Sequence, residues 1–121
     1  MNTIVQVEKK VIMSHDDIIR FQFVTHCYIE RISISDADLD CLTLLAKTGA
    51  QELQIFCETV TQHQIFKSVQ TVRNALAKGE RLNLIVKNGK NKKQIMINPD
   101  LNISTQGTIL LDFKFLHKSA A

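Results

Sequence analysis

Through the middle of the chain apolar residues recur three and four positions apart, the period of helices that bury one face. Leu39, Leu42, Leu45 and Ala46 make one such stripe. Ser35 stands where an N-cap belongs, Asp36 and Asp38 suit the positive end of the helix dipole, and Gly49 is a natural stop. A further helix is predicted over about 50–60, burying Leu53, Phe56, Cys57 and Val60. A polar turn, Thr61–Gln64, and the pair Ile65–Phe66 follow. Ser68 then caps a helix whose inward face is Val69, Val72, Leu76 and Leu82, and Asn83 tolerates the left-handed conformation that would end it.

Towards the N-terminus the pattern is less selective. Ser14 and Asp17 have capping-box spacing and predict an element over about 16–30. Its apolar residues, Ile18, Ile19, Phe21, Phe23, Val24, Cys27 and Tyr28, fit helix and strand alike. Thr3–Met13 alternates in part and is read as a strand or extended arm. Downstream, Leu84–Lys87 and Lys93–Asn98 are short strands joined by Asn88-Gly89-Lys90-Asn91, where Asn-Gly favours a type I′ turn because both central residues need positive φ. Pro99 ends the second strand, and Thr108–Leu116 reads as a last strand placed to complete the sheet. These elements predict an α+β fold. With no repeat or linker, residues 1–121 read as one domain: an N-terminal arm and helix (1–34), a helical and hairpin segment (35–98), and a C-terminal strand extension (99–121).

Charge changes this picture. Residues 67–93 hold eight basic side chains (Lys67, Arg73, Lys78, Arg81, Lys87, Lys90, Lys92, Lys93) against one acid, Glu80, a balance of +7. The whole chain carries only +3, so the remaining residues carry −4. Cations concentrated over a predicted helix, strand and turn are the footprint of a surface that meets phosphates. Gln70, Asn74, Lys78 and Arg81 recur at spacings of four, four and three, opposite the apolar stripe, with Thr71 and Arg73 at their flanks. Gln and Asn can grip adenine in the major groove, and Arg suits guanine or phosphate. The helix start at Ser68 would aim free amides at a phosphate. Lysines on the hairpin suit backbone contact, which positions without reading sequence; they equally protect strand edges from pairing with other chains. If about six of these cations neutralise phosphates, the salt slope should approach ~5.

Other chemistries find little support. Cys27, Cys41 and Cys57 lack metal-ligand spacing and sit among apolar neighbours, as buried thiols of a reducing compartment do. His15, His26, His63 and His117 are scattered, and His26 beside Cys27 points away from it on either element type. Neither enzyme activity nor a cofactor is expected. No signal peptide is visible at Met1–Lys10 and no apolar run reaches the ~18 residues of a membrane span, so a cytoplasmic protein with no membrane partner is expected. With six Phe, one Tyr and no Trp, a single-strand stacking platform is disfavoured.

The run SVQTVRNALAKGERLNLIVK followed by KNKKQIMINPDL resembles the winged helix-turn-helix family of small bacterial and phage regulators and replication initiators. The matching positions are Ser68, Thr71-Val72-Arg73, Leu76 and Leu82-Asn83-Leu84-Ile85, and the likeness covers about residues 35–100. Two positions depart from the pattern: Gly79 stands where the family has an apolar residue such as Leu, and Asn83 replaces the usual Gly. The resemblance implies a winged helix with a helical core, a C-terminal hairpin wing and an added terminal strand. It also implies a recognition helix at about 68–82, a basic wing at 84–98, and duplex-DNA contact through Lys67, Ser68, Gln70, Thr71, Arg73, Asn74, Lys78, Arg81, Lys87, Lys90, Lys92 and Lys93. The expected partners are double-stranded DNA and a second copy in a homo-oligomer, built on the first helix and the final strand. The ILLDFKFLHK ending is similar to small proteins of tailed bacteriophages. That opens a second expectation: an assembly module, such as a virion component, whose partner is a phage or regulatory protein.

Overall fold

A computed structural model describes residues 2–7, 12–89, 92–110 and 113–118. In chain order the elements are strand β1 (Asn2–Val7), helices α1 (His15–Glu30) and α2 (Asp36–Thr48), strand β2 (Gln51–Glu52), helices α3 (Leu53–Gln62) and α4 (Val69–Arg81), strands β3 (Ile85–Asn88) and β4 (Gln94–Ile97), a 3-10 turn at Pro99–Leu101, and strand β5 (Phe113–Lys118). The fold is α+β: four helices and a three-stranded antiparallel sheet of order β2-β4-β3, with β1 and β5 paired as a separate ribbon.

The ambiguous 16–30 segment is helical. Ser14 and Asp17 form the full capping box, the Asp17 N–H donating to Ser14 Oγ at 3.1 Å, and Ile19, Phe23 and Cys27 turn inward at spacings of four. A second box, Ser35 with Asp38, starts α2. Both helices lay their apolar faces on a core that includes Phe56, Cys57 and Val60 of α3, Val72 and Leu76 of α4, Leu84 and Ile85, and Ile95 of β4. Each fully buried Leu, Ile or Phe side chain stabilises the fold by roughly 1.5–3 kcal/mol. Thr43, buried in α2, satisfies its hydroxyl by donating to the Leu39 carbonyl at 2.8 Å. Ion pairs Lys47–Asp16 (2.8 Å) and Arg20–Asp36 (3.3 Å), with Arg20–Asp40, cross between α1 and α2 on the surface and add little.

Three helices end alike. Arg31, Gln64 and Asn83 adopt left-handed backbone, with φ of 57°, 60° and 60°. In each case the next N–H reaches back across the last turn: Ile32 to the Cys27 carbonyl (2.8 Å), Ile65 to Val60 (3.3 Å), Leu84 to Gly79 (2.9 Å). Asn83 therefore ends α4 as expected, while α3 runs two residues beyond its expected end.

Three details differ from expectation. Gln51 and Glu52 were expected inside a helix from about 50; they form a strand opposite Ile95 and Gln94, too short to leave a period in the sequence. Asn88-Gly89 does not make a two-residue turn. Asn88 stays in β3 opposite Gln94, and the Lys92 N–H donates to the Gly89 carbonyl at 3.1 Å. Lys90 and Asn91, expected in that turn, lie outside the described residues. Finally, the terminal strand does not join the β3–β4 sheet. In the sheet β2 takes the open side of β4, and β5 pairs antiparallel with β1 in the separate ribbon, from Asn2 opposite Lys118 to Val7 opposite Phe113. The parts of the expected end strands at 8–11 and 111–112 also lie outside the described residues.

Gly79 is a buried position of α4, and the reason is close packing. A Cβ there would stand 2.7 Å from Ile85 Cδ1 and 3.2 Å from its Cγ1. The missing side chain lets strand β3 lie directly on the helix, and the glycine at 79 leaves room for Ile85 in the core.

Candidate nucleic-acid interface

The segment α3–α4–β3–β4 is held as one unit by backbone polar groups. The Glu52 side chain does not cap α3; the Lys93 carbonyl takes the Leu53 N–H instead, at 2.8 Å, tying the base of the β3–β4 loop to the start of that helix. Asn98 braces the other end, its N–H donating to the Leu84 carbonyl (3.0 Å) and its Nδ2 to the Asn83 carbonyl (2.9 Å). A helix, its left-handed stop and the hairpin after it thus share one fixed geometry.

The exposed side of α4 carries Gln70, Thr71, Asn74, Ala77, Glu80 and Arg81, opposite buried Val72, Leu76 and Gly79. Ser68 caps the helix, its Oγ accepting the Thr71 N–H at 3.2 Å and lying 2.8 Å from Thr71 Oγ1. The Val69 and Gln70 N–H groups remain as the outward amides that no helix satisfies internally. Gln70 Nε2 donates to Asn74 Oδ1 at 3.0 Å, so the two amides stand as a pre-aligned pair on the surface.

The cations divide into two sets. Arg73 turns back to α3, donating to Gln54 Oε1 at 2.6 Å, while Gln54 donates to Glu58 at 3.2 Å. Lys78 is held by Asp38 of α2 at 3.1 Å, and Lys87 by Glu80 at 3.6 Å. Lys67, Arg81, Lys92 and Lys93 are exposed and have no ion-pair partner among the described residues. Lys90 lies outside them. Of the twelve candidate residues, Ser68, Gln70, Thr71, Asn74 and Arg81 share the α4 surface; Lys92 and Lys93 stand on the adjoining loop, Lys67 just before the helix, and Arg73, Lys78 and Lys87 are engaged within the molecule.

The partners Gln54, Asp38 and Glu80 are what sequence reasoning missed. Asp38 suits the positive end of the α2 dipole, which is half its role. Lys78 lies forty positions away, and no local spacing announces that contact.

The thiols are poor nucleophiles. Burial pushes the Cys41 pKa up to about 12, helped by the nearby Asp38 carboxylate, and burial also raises Cys27 and Cys57, the latter opposed by Arg73. Cys27 faces the core, whereas His26 lines a groove of about 490 Å³ between α1 and residues 101–109. That segment is strapped to α1 by Gln22, whose amide donates to the Ser104 carbonyl at 2.7 Å and accepts the Ser104 N–H at 2.8 Å. Among the described residues no cluster of three or more His, Cys, Asp or Glu could hold a metal ion, and no helix is long and apolar enough to cross a membrane. Compared with protein-family models, curated proteins and solved structures, the chain finds no match in any of the three.

Proposed function

We propose that this protein is a winged helix-turn-helix that binds duplex DNA, with α4 in the major groove and the β3–β4 loop on the flanking backbone. The order helix α2, strand β2, helices α3 and α4, then hairpin β3–β4, with β2 against β4, is compatible with that arrangement. One observation carries the reading: Gln70, Thr71, Asn74 and Arg81 are exposed together on α4, and Lys92 and Lys93 are exposed between β3 and β4, where the Lys93 carbonyl is tied to the start of α3. Gln70 and Asn74 supply base-edge contacts; Arg81, Lys67, Lys92 and Lys93 supply phosphate contacts. The protein has no catalytic role in this reading, and works as a regulator or replication-associated factor.

Counting only cations without an internal partner sets the salt dependence. The four such groups among the described residues imply a slope of log K against log salt of about −4, shallower than the full basic count suggests. Fluorescence anisotropy with random-sequence duplex across a salt series measures it. Lys92→Ala with Lys93→Ala should reduce the slope by about 2, and Asn74→Ala should weaken binding without changing it. A wild-type protein that fails to bind duplex at low salt ends the proposal.

A second reading has its own observation. On α1, Tyr28 and Ile29 are 85% and 68% exposed and Val24 is also exposed, beside the apolar groove lined by Ile18, Phe21 and Ile103. Exposed apolar clusters mark protein contacts. Winged helices serve assembly as well as DNA binding, since fold alone does not set function. A defined oligomer in sedimentation, lost on Tyr28→Ser with Ile29→Ser and unaccompanied by duplex binding, favours this assembly role over the first.

A further inference from the structure

We propose that Asp38 sets the affinity of the duplex-binding face by holding Lys78, so that a carboxylate built into the fold competes with backbone phosphate for one ammonium group. This inference rests on the duplex-binding reading. Asp38 Oδ2 lies 3.1 Å from Lys78 Nζ and also accepts the Ser35 N–H at 3.2 Å, while the Asp38 N–H donates to Ser35 Oγ at 3.1 Å. The acid is thus pinned by its own helix cap, its side chain only 15% exposed, whereas the Lys78 side chain is 37% exposed on a flexible four-carbon stem. Lys78 is the partner that can move. It sits one turn after Asn74 and one turn before Arg81, so on release its ammonium group lies along the edge of the exposed α4 surface.

A carboxylate offers lysine the same contact a phosphate does, a negatively charged oxygen at hydrogen-bond distance. While the pair is closed, Lys78 adds no phosphate contact. Opening it costs the pair. The Glu80–Lys87 pair is a weaker competitor, being longer at 3.6 Å and more open to water. Asp36, two residues from Asp38, has the same charge but is bound by Arg20 and is fully outside this contact.

The test compares Asp38→Asn, Asp36→Asn, Lys78→Gln and the double variant Asp38→Asn with Lys78→Gln, using random-sequence duplex over a salt series. Asn keeps an oxygen for the Ser35 N–H; Asp38→Ser is the second variant should Asn disturb the cap. Freeing one cation should tighten binding about eightfold at ~0.1 M salt and steepen the slope by about 0.9. Asp36→Asn, with the same change of net charge, should leave both nearly as they are. In the Lys78→Gln background, Asp38→Asn should gain nothing. Equal effects of Asp38→Asn and Asp36→Asn, or a gain that persists without Lys78, reduce Asp38 to a general charge effect and overturn the inference while leaving duplex binding intact. Absence of duplex binding in every variant at low salt overturns both.

Discussion

Adding one carbon at Gly79 sets two known effects against each other. In an exposed helix interior, Gly→Ala stabilises by roughly 0.5–1 kcal/mol. Here the new Cβ would meet Ile85 Cδ1 at 2.7 Å and Cγ1 at 3.2 Å, well inside the ~3.5–4.0 Å at which carbons attract. Ile85 is buried and β-branched, so it must leave its rotamer or push β3 off the helix, at a cost of about 1–3 kcal/mol. Packing wins, and Gly79→Ala should destabilise the fold by about 1 kcal/mol, a fall of about 4 °C in Tm for a chain of this length. Urea and thermal unfolding followed by circular dichroism measure this. The attribution to Ile85 is checked by a double-mutant cycle. Ile85→Val removes the Cδ1 carbon at its own cost of about 1 kcal/mol, and on that background Gly79→Ala should become neutral or stabilising. A stabilising Gly79→Ala with Ile85 in place, or equal effects on both backgrounds, refutes the close-packing account. Because β3 leads towards Lys92 and Lys93, the same substitution should also weaken the duplex binding proposed above.

Two further outcomes follow from local geometry and burial. Arg31 ends α1 with left-handed backbone, φ 57°, where a Cβ is penalised, so Arg31→Gly should stabilise by roughly 0.5–1 kcal/mol in the same unfolding assay. Cys41 keeps its proton in the folded state up to about pH 12, whereas the unfolded thiol ionises from about 9, so the stability it confers is complete below pH 9 and lost as pH rises towards 12. Urea midpoints taken under reducing conditions at about pH 8 and about pH 10.5 should fall with pH, and less steeply in Cys41→Ala; equal slopes would contradict the assignment.

Local chemistry made much of this protein legible in its sequence. Helix starts at Ser14, Ser35 and Ser68 were written in their own side chains, because a capping hydroxyl needs only an amide three residues on. The inward residues of α2, α3 and α4 followed from a period that any one-sided helix must keep, and so did the exposure of Gln70, Asn74 and Arg81 opposite them. Stops were legible only where the residue type favours left-handed backbone: Gly49 and Asn83 announced themselves, Arg31 and Gln64 did not.

What tertiary structure alone decided concerns partners far apart in the chain. Residues 16–30 became a helix because Ile19, Phe23 and Cys27 found a core to cover. Gln51 and Glu52 became a strand because β4 offered them an edge, and β5 found its partner in β1, more than a hundred residues back along the chain. Gly79 was selected by Ile85, and Lys78 was claimed by Asp38. Periodicity and capping act over one or two turns, so a sequence displays them directly. Edges, close approaches and ion pairs depend on which segments meet, and that is fixed only when the chain has folded.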